Sequence, residues 1–262
     1  MMRWLWIVND SYTPVVCPRK SVVDVFFAAR NMTCSYYNDQ FDLKRGDIVF
    51  VDGKLEGLKG RVVEVNYNFK IKLSEYKRVI AVVDTSVEGE LFFAGSHMIS
   101  FECGVIPAGK IAKWFLPPRK EEDEIVCGSD DFEFYLDHLD TMNVEAAVFE
   151  RGKNYFLANK VRYINLGGRT GYAIVEGSKP YEVEFEYQDG KIKNLTCTCY
   201  CNYHCKHEVA AMLELRALLD LIEENYKEQF TETEYFAAID TASLLMHAVG
   251  GKKHGSVSFH RG

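Results

Sequence analysis

Between Leu195 and Leu219 the chain reads LTCTCYCNYHCKHEVAAMLELRALL, and half of its eight cysteines fall between Cys197 and Cys205. Thiolate sulfur and imidazole nitrogen are ligands that zinc takes in tetrahedral sets of four. In an extended strand, residues i and i+2 share a face, so Cys197 and Cys199 present both thiols to one point. Cys205 and His207 open an apolar stretch and supply two further donors. The order Cys-x-Cys, five residues, Cys-x-His gives three thiolates and one neutral imidazole, a site of net charge about −1 around a divalent ion. Four protein ligands make a closed shell, so the expected cofactor is one structural Zn2+ and not a catalytic one. Cys201 and His204 lie inside the same segment. Cys201 is able to replace Cys199 in the set, whereas His204 reads as a surface histidine.

The elements that must position these donors are legible around them. In KPYEVEFEYQDGKIKNLTCTC, Tyr181, Val183, Phe185 and Tyr187 alternate with Glu182, Glu184 and Glu186, the pattern of a half-buried strand. Asp189-Gly190 is a hairpin turn, so the first cysteines emerge at the end of a hairpin's second strand. HEVAAMLELRALLDLIEENY reads as a helix whose Val209, Ala210, Met212, Leu213 and Leu215 face a core. Upstream, KNYFLANKVRYINLGGRTGYAIVEG reads as β from Gly152 onwards. On this reading the metal stands in for a core that so small a hairpin–helix unit lacks.

Cys197-x-Cys199 and Cys205-Lys206-His207, followed by an apolar helix, resemble the SWIM-type zinc finger. The stretch GKNYFLANKVRYINLGGRTGYAIVEGSKPYEVEF is similar to the β-rich lead-in of bacterial members, so the resemblance covers about residues 143–219. It implies a β-hairpin–helix held by one zinc, in a family associated with DNA binding and protein–protein contacts. A looser resemblance lies nearer the start. KRGDIVFVDGK followed by GLKGRVVEV is similar to KOW and SH3-like small barrels.

The rest of the chain bounds these modules. Its 262 residues, 47% hydrophobic and 26% charged, suit a folded protein of two modest parts. No run of about 18 apolar residues occurs, and the apolar start is broken by Asn9 and Asp10, so a first strand is expected there and no membrane segment. SVVDVFFAARNM (21–32) has helical spacing with a serine cap. Pro117-Pro118 and the charge run after them mark a boundary near 118–128. DDFEFYLDHLD begins helical, TETEYFAAIDTASLLMHAV is a capped helix, and GSVSF a short strand. The fold class expected is therefore α+β: a β-rich SH3/KOW-like domain (1–118), an acidic linker (119–142), a SWIM zinc-finger domain (143–219) and a helical extension (220–262).

Charge and chemistry narrow the function. The net charge of −7 is uneven: residues 119–150 carry 11 acidic and 2 basic side chains, residues 151–218 carry 10 basic and 7 acidic. Lys160, Arg162, Arg169, Lys191, Lys193 and Lys206 flank the finger as candidate phosphate contacts, with Tyr163, Tyr172 and Tyr200 available to stack on bases. Lys70, Lys72, Lys77 and Arg78 offer a similar surface in the barrel. Asp130, Asp131, Glu133, Asp137 and His138 lack any metal-site spacing and read as a solvated face. Cys17, Cys34, Cys103 and Cys127 are scattered singly, which suits small hydrophobes in a reducing, cytoplasmic compartment more than a disulfide framework. No phosphate loop, nucleophile elbow or paired acid/base signature is present, so a binding protein is expected and not an enzyme, with no small-molecule substrate. Nucleic acid, DNA or RNA, is the first partner class. A protein partner, favoured by the overall acidity, is the second.

Overall fold

The computed structural model describes residues 18–119, 125–129, 132–201 and 203–249. The chain is α+β and divides after Val82 into two compact units, Met1–Val82 and Val83–Gly262.

In the first unit, β1 (Ser21–Phe27), β2 (Met32–Asn38), β3 (Ile48–Val51), β4 (Gly60–Asn66) and β5 (Val79–Val83) form a sheet in the order β2-β1-β4-β3-β5. The helix expected over 21–32 is a strand instead. Ser21, Val23, Val25 and Phe27 are buried and the residues between them are not, a period of two that the valine-rich run favours. Asn31, in the left-handed region at φ 47°, turns the chain into the antiparallel β2. Val23, Val25, Phe27, Tyr36, Val49 and Val62 make the core of this unit. The expected barrel is not closed. Edge strands β2 and β5 meet at one parallel bridge, Tyr37 to Arg78, where the Tyr37 N–H donates to Lys77 O at 2.8 Å.

The second unit is built on an eight-stranded sheet. Its strands are β6 (Phe92–Ala94), β7 (His97–Ser100), β8 (Phe134–Tyr135), β9 (Val161–Gly167), β10 (Thr170–Glu176), β11 (Pro180–Gln188), β12 (Lys191–Cys197) and β13 (Tyr235–Asp240). They lie in the order β6-β7-β13-β9-β10-β11-β12-β8. Here the boundary expected near residue 118 moves: β6 and β7 join this sheet through β13, so the section from Val83 to Pro118 belongs with the cysteine-rich segment and not with the first unit.

Five α-helices complete it among the described residues: α1 (Ala108–Phe115), α2 (Ala146–Leu157), α3 (Lys206–Asn225), α4 (Lys227–Thr233) and α5 (Thr241–Leu244). Three further readings change. The stretch from Gly152 to Leu157, expected as β, is the second half of α2. DDFEFYLDHLD gives the short β8 and a 3-10 turn among its described residues. Tyr235–Asp240, expected as helix, is a central strand buried at every position from Phe236 to Asp240. Burial on both faces erases the alternation that would have marked it. The opening strand and GSVSF lie outside the described residues.

Helix α3 packs against α2 and lies over the sheet. Val209, Ala210, Met212, Leu215, Leu218 and Ile222 are all buried in a core shared with Val161, Ile164, Val175, Val183 and Ile192. Each fully buried aliphatic side chain contributes about 1.5–3 kcal/mol. The helix carrying the last two donors thus has a large core of its own, contrary to the expectation that metal replaces one.

Candidate metal centre

The hairpin β11–β12 turns at Asp189-Gly190, whose φ values of 51° and 79° are both positive, as a tight two-residue turn with right-handed strand twist requires. The turn delivers Cys197 to the last position of β12. Thr198 fastens the chain just beyond. Its N–H donates to Glu182 O at 3.0 Å, and its hydroxyl accepts the Glu182 N–H at 2.9 Å. Cys199 follows. On the other side, Cys205 is the N-cap of α3: its sulfur accepts from the backbone of Glu208, and the Glu208 carboxylate takes the Cys205 N–H at 2.8 Å. This reciprocal pairing is a capping box with cysteine in the usual serine place. The same carboxylate lies 3.0 Å from His204 Nδ1, which fixes His204 away from the donor set.

The three Sγ atoms of Cys197, Cys199 and Cys205 and one ring nitrogen of His207 all lie within 4.8 Å of one another. His207 Nδ1 is 3.8 Å from Cys197 Sγ and 3.6 Å from Cys205 Sγ. Zinc bound tetrahedrally, with Zn–S about 2.3 Å and Zn–N about 2.0–2.1 Å, sets neighbouring S and N atoms about 3.5 Å apart. The four donors therefore fit a metal ion, and their type and spacing are compatible with zinc. Hydrogen bonds from the Cys197 and Cys205 thiols hold the Cys199 thiol well below its usual range, while the bond to Cys199 pushes Cys197 up.

The imidazole is held by its neighbours. Tyr181 stacks on the His207 ring at 4.3 Å between centroids, and Tyr155 of α2 meets its edge at 5.6 Å. A Cβ at Gly177 would stand 2.9 Å from His207 Nε2, so only glycine lets the β10–β11 turn pass this close. Nε2 is buried and makes no hydrogen bond among the described residues, so Nδ1 is the nitrogen turned toward the thiols. About two turns further along α3, Glu214 reaches His97 of β7, with Oε1 3.2 Å from Nδ1. His97 Nε2 lies 2.9 Å from Val161 O, and Nδ1 stands between Glu214 Oε1 and the Ser96 hydroxyl, 3.2 Å from each. Burial raises the Glu214 pKa, and His97 opposes that shift.

Sequence reasoning thus brings together all four of its preferred donors. Cys201 and Cys127 stand exposed outside the set; Cys127 Sγ donates to Cys197 O at 3.6 Å. Cys103 is also exposed, so the reading of the scattered cysteines as buried hydrophobes fails for Cys103 and Cys127. The ring contacts of Tyr181 and Tyr155, the close approach of Gly177 and the Glu214–His97 pair carry no local signal in the sequence. The Cys-x-x-Glu spacing of the capping box was the one signal available for Glu208.

Four of the six candidate phosphate contacts are paired with carboxylates. Lys160 and Arg162 pair with Glu176, and Arg162 also binds Asp240 at 3.1 Å. Lys191 and Lys193 both grip Glu133, at 2.6 and 2.7 Å, and the Lys191 and then the Lys193 hydrogen bond hold that carboxyl down at about 2. Arg169 is exposed in the β9–β10 turn, and Lys206 lies over the Tyr155 ring at 4.7 Å. Tyr163 is fully buried and offers no face for stacking, Tyr172 is half-buried with its hydroxyl donating to Glu182, and Tyr200 is exposed. In the first unit, Lys72 pairs with Glu75 and Arg78 with Asp39. No helix among the described residues is long and apolar enough to cross a membrane.

No protein-family model and no solved structure matches the chain. An uncharacterized protein of Methanocaldococcus jannaschii is 28% identical over 127 residues, 42% of this chain. The chain covers 54% of that relative's length, about half, so what is shared is one portion of each protein.

Proposed function

We propose that the protein is a SWIM-type zinc-binding module that engages nucleic acid, its zinc structural and its role binding, not catalysis. The observation that carries this reading is the Cys197, Cys199, Cys205 and His207 cluster, assembled from a strand end and a helix N-cap. Four protein donors fill a tetrahedral shell and leave no position for water or substrate, which suits a structural ion. Once bound, zinc would tie the end of β12 to the start of α3 and fix the loop between them. The N-terminal unit, likened to KOW and SH3-like barrels, would add a second small β surface. Elemental analysis of the purified chain tests the ion: one zinc per chain is expected. Fluorescence anisotropy against single- and double-stranded DNA and RNA, titrated with salt, tests the partner. Binding that weakens linearly with log salt supports nucleic acid.

The second reading, a protein-docking adaptor, is favoured by one specific observation. Lys160, Arg162, Lys191 and Lys193 are already neutralised by carboxylates of the same unit. No binding to any nucleic acid at low salt, with zinc present, is the outcome that selects it.

A further inference from the structure

The loop closed by the metal cluster carries the most exposed aromatic residues near it. Tyr200 and Tyr203 are each 86% exposed, between Cys199 and Cys205. Two large aromatic rings so open, three positions apart in sequence, offer apolar faces to a partner. They stand beside a continuous row of ring and cation contacts. The Lys179 ammonium lies 5.4 Å from the Tyr200 centroid and 5.7 Å from that of Tyr181. Tyr181 stacks on His207, His207 meets Tyr155, and Lys206 lies over Tyr155. A lysine therefore caps each end of an aromatic row whose centre is a metal-cluster residue.

These two lysines differ from most of the other cations in the second half of the chain. Lys160, Arg162, Lys191 and Lys193 all have carboxylate partners, whereas neither Lys179 nor Lys206 is ion-paired among the described residues. The nearby Glu208 is turned inward, buried against Cys205 and His204. The patch thus combines open ring faces with two ammonium groups that carry no carboxylate ion pair among the described residues. A duplex hides its base faces, whereas an unpaired strand offers both π-faces and phosphates.

We infer that the Tyr200–Tyr203 loop, with Lys179 and Lys206, is a stacking platform for single-stranded nucleic acid. The inference rests on the nucleic-acid reading above and names the strand state and surface. Bases stack on Tyr200 and Tyr203 while the two ammonium groups contact flanking phosphates. The metal cluster holds the loop ends so that the rings are presented without a large ordering cost.

The test is fluorescence anisotropy of the zinc-loaded full chain with labelled oligothymidylate and oligouridylate of about 20 nucleotides and a duplex of the same length. Single strands are expected to bind at least about tenfold tighter than duplex. Tyr200→Ala with Tyr203→Ala should weaken single-strand binding by about 5- to 150-fold per lost stack, at unchanged zinc content. The Tyr200→Phe, Tyr203→Phe chain keeps the rings and should keep the affinity. Lys179→Ala with Lys206→Ala should make the log–log salt slope shallower by about 1.4, at about 0.7 per phosphate contact. Single-strand affinity unchanged in the double alanine chain, or a preference for duplex, overturns the platform and leaves the nucleic-acid reading intact at another surface. No binding to any of the three probes at about 50 mM salt overturns both.

Discussion

Replacing Cys205 by serine separates two jobs that one side chain performs. As N-cap of α3, Cys205 accepts a backbone hydrogen bond; serine is at least as good a cap, so the helix start is kept. As a member of the metal set it lies 3.6 Å from His207 Nδ1, and serine lacks the thiolate. The expected loss is therefore that of the cross-link alone. Tying Cys197 to Cys205 closes a nine-residue loop. The loop-closure entropy of a cross-link that short is about 2–3 kcal/mol. For a unit of this size that lowers the midpoint of thermal unfolding by about 5–10 °C. Because α3 retains its buried face against the sheet, far-UV circular dichroism should stay close to that of the parent chain. Hydrogen exchange should accelerate around residues 196–208 and not across β9, β10 or β13. Zinc measured by elemental analysis should fall from one per chain to well below that. Full zinc content in Cys205→Ser would refute the ligand set. Wholesale loss of β signal would refute the claim that the core of this unit stands without the metal.

Further outcomes follow from other features. Cys201→Ser should leave zinc content unchanged, since Cys201 is exposed and outside the cluster; metal loss would reinstate it as a ligand. Gly152→Ala places a methyl 2.4 Å from Val209 Cβ and 2.9 Å from Lys206 O, prising α2 from the start of α3. About 1–3 kcal/mol of stability should be lost in chemical denaturation, with weaker competition for zinc against a chelator. Glu133→Gln releases Lys191 and Lys193, so any nucleic-acid binding should tighten and its salt slope steepen by up to about 1.8 for duplex. Glu214 has a folded pKa raised by burial. Its contribution to stability is full below the ordinary carboxylate value and is lost as pH rises through the raised one. Glu214→Gln, which removes the titrating group at similar size, should flatten that part of the stability–pH curve; an unchanged curve would show that Glu214 is not the group responsible.

The metal cluster was legible because its information is local. A strand's period of two, a turn at Asp189-Gly190 and a helix start at Cys205 are set by residues close in sequence, and together they bring four donors to one place. What escaped detection depended on distance along the chain. Tyr155 and Tyr181 reach His207 only because α2 and β11 pack where they do. Glu133 neutralises Lys191 and Lys193 from about sixty positions away, so charge counting by segment saw a basic flank where the fold has ion pairs. Element type failed where burial is two-sided. Phe236–Asp240 alternates nothing, and its strand identity comes from the neighbours β7 and β9. At 21–32 the apolar spacing admitted a helix, but the β-branched valines at 22, 23 and 25 decide for a strand.

The position of β13 bears on how the polypeptide comes to life on the ribosome. Residues 235–240 lie between β7, residues 97–100, and β9, residues 161–167, in the middle of the large sheet. Until that strand has been translated and has cleared the exit tunnel, the nascent chain holds two half-sheets with unpaired inner edges. Synthesis at about 5–20 residues per second leaves those edges exposed for several seconds. The Cys-x-Cys and Cys-x-His segments emerge before β13, so early metal capture would secure one half-sheet with its helix while the central strand is still being made.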